Sequence, residues 1–428
     1  MNKRLSKEQV KTLALSSLGG TLEFYDFIIF VFFASYFSHH FFPSTLSPFW
    51  QELNTYGAFA AAYLARPLGG VVMAHFGDKF GRKNMFMLSI LLMVIPTFAL
   101  AVIPTYETIG YGAPIALLLV RIFQGMAIGG ELPGAWVFVR EHSEDNKKGL
   151  FIGLLTSSVV GGILLGCFVA LIMQLNFTTE ELKDWAWRVP FALGGVFGII
   201  SLYLRRYLNE TPVFKEMQKS DSLVKLPIKD VIENHRFGIF ISILVTWVLT
   251  ACVVVFLLIA PNFVRVIMNL EPVDNTYIQM AGIFAMMIGC VLTGFLSDKF
   301  GISRICKIFA ILWGVFGALY FYELYIAKDL TLLIVFYLLA TLSAGIMNFT
   351  PLIMVEIFPA KIRYSGISFS YNLAYAIAGF ITPILLPFLN KVAISENPPF
   401  LYQIGGGAYI ILVAFVAFIT ACLVSKRM

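Results

Sequence analysis

Twelve stretches of this chain are apolar over about the length a helix needs to cross a bilayer, and that constrains the fold more than any single motif. A spanning helix takes roughly 20 predominantly apolar residues. Such segments lie near 12–37, 54–76, 83–103, 113–139, 147–173, 188–207, 237–261, 275–297, 305–326, 330–356, 362–388 and 402–424. They are continuously apolar rather than alternating, which argues against a β-barrel. Only 13% of the residues are charged and the mean hydropathy is +0.82, far from a soluble domain. The fold class expected is an all-α polytopic membrane protein with twelve transmembrane helices in two pseudo-symmetric six-helix bundles. The first segment is too long for a cleaved signal, carries Glu23 and Asp26, and ends without a small-residue cleavage site.

The longest hydrophilic gap, 208–236, divides the chain six plus six. This predicts a bundle over 1–207, a cytoplasmic central loop over 208–236 and a second bundle over 237–428. Thr211-Pro212 and Pro227 read as starts of short helices in that loop. A repeat supports the halving: Asp78-Lys79-Phe80-Gly81 recurs as Asp298-Lys299-Phe300-Gly301, 220 residues on, between the equivalent segments. The aspartate of such a loop can accept from a neighbouring helix N-terminus or a cation.

Lysine and arginine set the orientation. Twenty-four of the 31 fall at the N-terminus, in alternate loops, in the central loop and at the C-terminus. They include Lys3, Arg4, Arg140, Arg205, Lys225, Lys426 and Arg427, against five on the other side: Lys183, Arg188, Arg265, Lys328 and Lys391. Both termini are therefore expected in the cytoplasm. The net charge of +6 is this bias and implies no nucleic-acid partner. The five cysteines show no CxxC spacing, and the histidines form no metal-ligand pattern, His39-His40 being the one weak hint. No phosphate loop or nucleophile elbow appears, so no enzymatic activity and no cofactor are expected.

Five ionisable residues sit at membrane depth in the first half: Glu23, Asp26, Arg66, Arg121 and Glu131. Each costs roughly 2.5–3.5 kcal/mol at mid-helix, so five left unpaired cost on the order of 15 kcal/mol. That rivals a typical whole stability of about 5–15 kcal/mol. They must be paired, hydrated or protonated. Three acids against two arginines leave one carboxylate in excess, and a desolvated carboxylate lacking a full partner trades protons near neutral pH. Glu23 and Asp26 share a helical face, as do Arg121, Gln124 and Glu131. A bland reading stands beside this one: Arg66 or Glu131 can be a structural ion-pair member, with Arg140 a candidate partner of Glu131. Phe24 and Tyr25 point away from the acidic face and read as packing. The second half offers polar and aromatic groups instead, with Trp247, Asn348, Tyr371 and Asn372 the best candidates for neutral recognition.

The pieces Gly20-Thr21, Glu23-Phe24-Tyr25-Asp26-Phe27, Arg66-Pro67-Leu68-Gly69-Gly70 and Gln124-Gly125 leading to Gly129-Gly130-Glu131 are similar to those of one known group. So are the Asp78–Lys83 loop, Arg188 to Phe191, Glu210-Thr211-Pro212, Glu356 to Pro359, Arg363 to Gly366 and Tyr371-Asn372. The chain resembles the metabolite:proton symporters of the major facilitator superfamily, the group holding proline/betaine, citrate, α-ketoglutarate and shikimate carriers. Phe24 stands where that group usually has tryptophan. The resemblance implies a bacterial inner-membrane transporter, a monomer in lipid, importing a small organic acid or zwitterion with protons by alternating access and driven by the proton gradient. Proton carriers would be Asp26, Glu23 and Glu131. Substrate ligands would be Arg121, Arg66, Gln124, Asn348, Tyr371, Asn372 and Trp247. A cytoplasmic gate would comprise Asp78, Arg82, Arg140, Asp298, Arg304, Glu356 and Arg363. Proton-coupled export, organic-anion exchange and a non-transporting sensor are the alternatives. Few embedded arginines favour a zwitterion or monocarboxylate.

Overall fold

A computed structural model of the chain describes residues 7–220, 227–393 and 403–425. Lys3, Arg4, Lys225, Lys426 and Arg427 lie outside these, as do the side chains of Phe27 and Lys391. The described residues contain no strand. Lipid offers no partner to backbone N–H and C=O groups, so a chain this apolar closes those bonds within helices.

Among the described residues twelve long helices result. They are α1 (Lys7–Phe41), α2 (Pro48–Phe80), α3 (Arg82–Val102), α4 (Gly112–His142), α5 (Lys148–Asn176) and α6 (Arg188–Arg205), then α7 (Arg236–Ile267), α8 (Pro272–Phe300), α9 (Ile302–Ala327), α10 (Leu330–Ile357), α11 (Arg363–Ala393) and α12 (Gly405–Val424). Ten are long and apolar enough to cross a membrane, α8 counted from Val273. The other two, α2 with 33 residues and α11 with 31, have the length to span at 1.5 Å per residue. Large apolar side chains left exposed, such as Leu64, Leu68 and Ile95, sit on these helices, where lipid meets them. The gap after α6 carries short helices Pro212–Lys219 and Pro227–Asn234. Thr211 caps the first, its hydroxyl accepting from the Phe214 N–H.

The helices group into two compact units. The first comprises Met1–His142, Gly162–Val231 and Pro359–Asn372; the second comprises Ser143–Gly161, Ile232–Phe358 and Leu373–Met428. The units depart from the halves 1–207 and 237–428 at two helices. The start of α5 packs with the second set because Gly149 and Gly153 bring its backbone against Gly294 and Cys290 of α8. The start of α11 packs with the first set because the ring of Tyr364 fits over Gly77 and Gly134.

In the first unit α1 buries an aromatic ladder. Phe37 meets Phe30, Phe41 and Phe191 edge-on, and Trp187 at 5.2 Å. Phe24 and Tyr25 are buried in the packing, and the Tyr25 hydroxyl donates to the Pro190 carbonyl at 2.8 Å. Helices α2 and α4 run backbone against backbone: a side chain at Gly125 would strike the Ala62 backbone, and one at Gly129 the Arg66 carbonyl. In the second unit Pro261 interrupts α7. It has no N–H, so the Leu257 carbonyl loses its helical donor. The helix widens into a π-turn over Val254–Ile259, and side chains fill in. Gln279 donates to Leu257 O at 2.7 Å and Tyr337 to Phe256 O at 2.9 Å.

Gly125→Leu should therefore force α2 and α4 apart, at a cost of about 1–3 kcal/mol or more. Thermal unfolding in detergent should show a lowered midpoint for it. Gly57→Leu, where an added side chain meets open space, should leave the midpoint unchanged.

Candidate functional site

The face shared by Arg121, Gln124 and Glu131 on α4 turns toward α1 and α3. Asp26 is 4% exposed, and its Oδ2 accepts from Gln124 Nε2 at 2.6 Å. Arg121 Nη1 stands 3.7 Å from that same oxygen and donates to Gln124 Oε1 at 2.7 Å. Gln124 Nε2 also donates to the Thr97 hydroxyl of α3 at 3.0 Å. Gln124 thus lies between acid and base, its carbonyl toward arginine and its amide toward aspartate. The Arg121 guanidinium also lies 4.1 Å from the Phe30 ring centroid. Asp26 Oδ1 and Glu23 Oε2 are buried and have no hydrogen-bond partner among the described residues. Helices α1 and α4 meet here, with Asp26 rather than Glu23 as the arginine's partner. Thr97 gave no signal in the sequence, since its hydroxyl matters only because α3 packs here.

Glu131 belongs to a separate cluster. Its carboxylate is gripped at both oxygens by the guanidinium of Arg205 and accepts from the Ser89 hydroxyl. Arg205 also donates to the Phe86 carbonyl at 3.0 Å and stacks 3.7 Å from the Phe86 ring centroid. This corrects two expectations. Arg205 is no loop cation but the last residue of α6, fully buried. Glu131 pairs with it, not with Arg140, so the charge count becomes three acids against three arginines. The run Arg205-Arg206 reads as a loop because nothing in it says which cation turns inward. Only Arg205 falls on the α6 face that meets α1 and α3. A further buried acid, Glu323 near the end of α9, belongs to the second unit.

The second-half recognition residues are divided. Tyr371 and Asn372 fall in the first unit beside Arg66. The Arg66 guanidinium lies 5.5 Å from the Tyr371 ring centroid, and its Nε donates to Asn372 Oδ1 at 3.4 Å. Trp136 meets the Tyr371 ring edge-on at 4.8 Å. Asn348 and Trp247 fall in the second unit. Asn348 accepts from the Thr156 hydroxyl at 3.0 Å, in a 3-10 stretch of α10. Trp247 donates to the Tyr409 hydroxyl at 3.1 Å.

The gate residues form two matched arrangements, one per unit. In the first, Asp78 accepts from the Ser365 N–H at the start of α11 at 2.8 Å and lies 3.4 Å from Arg82. Glu141 takes Arg82 at 3.2 Å, Arg363 at 3.4 Å and the Thr211 hydroxyl at 2.6 Å. Glu210 caps α3, accepting from the Arg82 and Lys83 N–H groups at 3.2 and 3.1 Å. In the second, Asp298 accepts from the Gly149 and Leu150 N–H groups at the start of α5, at 2.7 and 2.8 Å. Glu356 pairs with Lys148 at 2.6 Å. Arg304 lines a polar cavity of about 760 Å³ with Lys148, Asp298, Lys307 and Glu356. Arg140 is partly exposed at the end of α4. Glu141 escaped sequence reading because it follows Arg140 at a helix end, where either side chain could turn inward. Among the described residues no group of three or more His, Cys, Asp or Glu could hold a metal; His40 instead contacts the Lys183 carbonyl at 2.6 Å.

Spanning helices with a buried charged face and helix-capping loops define a multi-pass membrane transporter. The sequence model of the Major Facilitator Superfamily matches residues 28–383, and the chain belongs to that family. It is a transporter, not an enzyme. The inner membrane metabolite transport protein YhjE of Escherichia coli is 31% identical, over 89% of this chain and 88% of its own. Alpha-ketoglutarate permease of the same organism is 31% identical, over 99% and 95%. The glycine betaine/proline/ectoine/pipecolic acid transporter OusA of Dickeya dadantii is 31% identical, over 96% and 82%. The structure of the proton:xylose symporter XylE superposes with a TM-score of 0.79 at 15% identity, covering 98% of this chain and 95% of that one. At that identity the likeness is one of fold.

The Glu131–Arg205 assignment predicts a large asymmetry. Glu131→Gln leaves a buried guanidinium without its carboxylate and should cost about 3–5 kcal/mol, read as lost folded yield and a lower unfolding midpoint. Arg140→Gln should leave the Glu131–Arg205 pair intact and cost clearly less. The reverse ranking would contradict the pairing.

Proposed function

We propose that the chain imports a small organic acid or zwitterion together with protons, by alternating access. The observation that carries this reading is the Asp26–Gln124–Arg121 arrangement. Arg121 contacts Asp26 only at 3.7 Å, and Asp26 keeps one buried oxygen without a hydrogen bond. Such a pair is poised for exchange. With Asp26 ionised, Arg121 is held by it. With Asp26 protonated, the guanidinium is released to grip a substrate carboxylate in a bidentate fork. Proton and substrate then bind together, as symport requires. Arg205 is committed to Glu131, which leaves Arg121 and Arg66 to face Asp26 and Glu23. Glu23 serves as a second proton site, Arg66 as a second anchor, and Glu131 as structural support.

The relatives' names support a metabolite as cargo: α-ketoglutarate for one, betaine, proline and related zwitterions for another. One loosely held arginine suits a zwitterion or monocarboxylate. The halves 1–207 and 237–428 act as the moving bundles, joined by 208–236. The protein acts as a monomer in the inner membrane with both termini cytoplasmic, following the bias of lysine and arginine. Asp78, Arg82, Glu141 and Arg363, with Asp298, Lys148 and Glu356, form the cytoplasmic latch. Their ion pairs and helix caps break when the bundles rock. Arg140 and Arg304 sit at its margin.

Proteoliposome uptake of organic acids, amino acids and betaines under an imposed inward proton gradient tests the reading. At least one should accumulate faster with the gradient than without. Asp26→Asn should abolish that accumulation while leaving substrate counterflow within a few-fold of the parent. Accumulation that survives in the variant removes Asp26 as proton carrier. Uptake that requires a counter-substrate and ignores the gradient replaces symport by exchange.

A further inference from the structure

Pro133 sits inside α4 and has no N–H, so the carbonyl of Gly129, four residues earlier, loses its helical donor. A buried carbonyl without a partner is costly, and native structures fill such positions. Here the donor comes from another helix. Asn372 of α11 gives one amide hydrogen to Gly129 O at 2.7 Å and the other to Ser368 O, in its own helix, at 2.8 Å. Two carbonyls cannot donate, so the amide nitrogen must face them and the amide oxygen must face the other way. There it accepts from Arg66 Nε at 3.4 Å. Gly70 of α2 leaves the room this requires, since a side chain there would strike Asn372 Nδ2. Two turns earlier on α11 the Tyr364 hydroxyl donates to the next carbonyl, Gly130 O, at 2.8 Å.

We propose that Asn372 is a positioning residue with two linked tasks: it orients Arg66 and it docks the start of α11 on the carbonyl that Pro133 leaves open. It is thereby the point where the charged set meets the helix that Asp78 caps, rather than a substrate ligand. Arg66 leaving Asn372 for a bound carboxylate removes the contact on the amide oxygen. The hold of α11 on α4 then depends on the substrate. The linkage to substrate rests on the transporter reading; the docking does not.

Two measurements on the full-length protein in nanodiscs test this. The first is hydrogen exchange without substrate. Asn372→Ala should raise exchange across 363–372 by about tenfold, the effect of one buried hydrogen bond. Pro133→Ala returns an N–H to Gly129 O. On that background Asn372→Ala should have a clearly smaller effect. Exchange within twofold of the parent, or full additivity of the two changes, overturns the docking. The second is gradient-driven uptake. Tyr364→Phe loses a docking bond but touches no charge, so it should raise exchange and leave KM within twofold. Asn372→Ala should raise both exchange and KM. Equal KM for the two variants reduces Asn372 to a structural role and overturns the linkage. If the parent transports nothing, the proposed function falls, and the exchange result still decides the docking.

Discussion

An ionised side chain inside a bilayer has to find its counter-charge within the protein, and much of this structure follows from that. Arg205 is the clearest case. It reaches back from the end of α6 to grip Glu131 and so ties α6 to α4, while its remaining donors hold carbonyls of α1 and α3. Four helices are fixed by one guanidinium. Breaking such a pair leaves a charge in a low-dielectric interior, which is costly. The Asp26–Arg121 contact is the contrast. It is long, and the Gln124 amide bridges the two charges. One bundle thus holds a tight ion pair and a loose one.

Backbone groups obey the same rule. Prolines in α4 and α7 each free a carbonyl, and in each case a side chain from a neighbouring helix fills it: Asn372 at Gly129, Gln279 at Leu257. A helix break in lipid is tolerated only where a neighbour repairs it. Each proline therefore specifies a neighbour as well as an interruption.

The repeated loop shows how duplication becomes pairing. Asp78 caps the start of α11, and Asp298 caps the start of α5. Glu141 takes Arg363, and Glu356 takes Lys148, the second pair lying 215 residues from the first in both members. Each six-helix set thus holds the start of one helix from the other set. Both caps follow from two copies of one turn, each aspartate accepting from N–H groups that a helix start leaves open.

Much of this was legible in the sequence because lipid permits few answers. Twelve apolar stretches dictate twelve helices, and DKFG recurs at two equivalent turns. Acids at Glu23, Asp26 and Glu131 announce a buried charged face. What a sequence cannot carry is which way a residue at a helix end turns, or which helix lies opposite. Tertiary packing alone decided that Arg205 and Glu141 face inward, that Asp26 rather than Glu23 meets Arg121, and that Thr97 joins them. It also assigned Tyr371 and Asn372 to the first compact unit, and Asn348 and Trp247 to the second. Spacing along one helix sets a face, but pairing depends on the distance between helices, and that distance is set by close contacts such as Gly125 on Ala62.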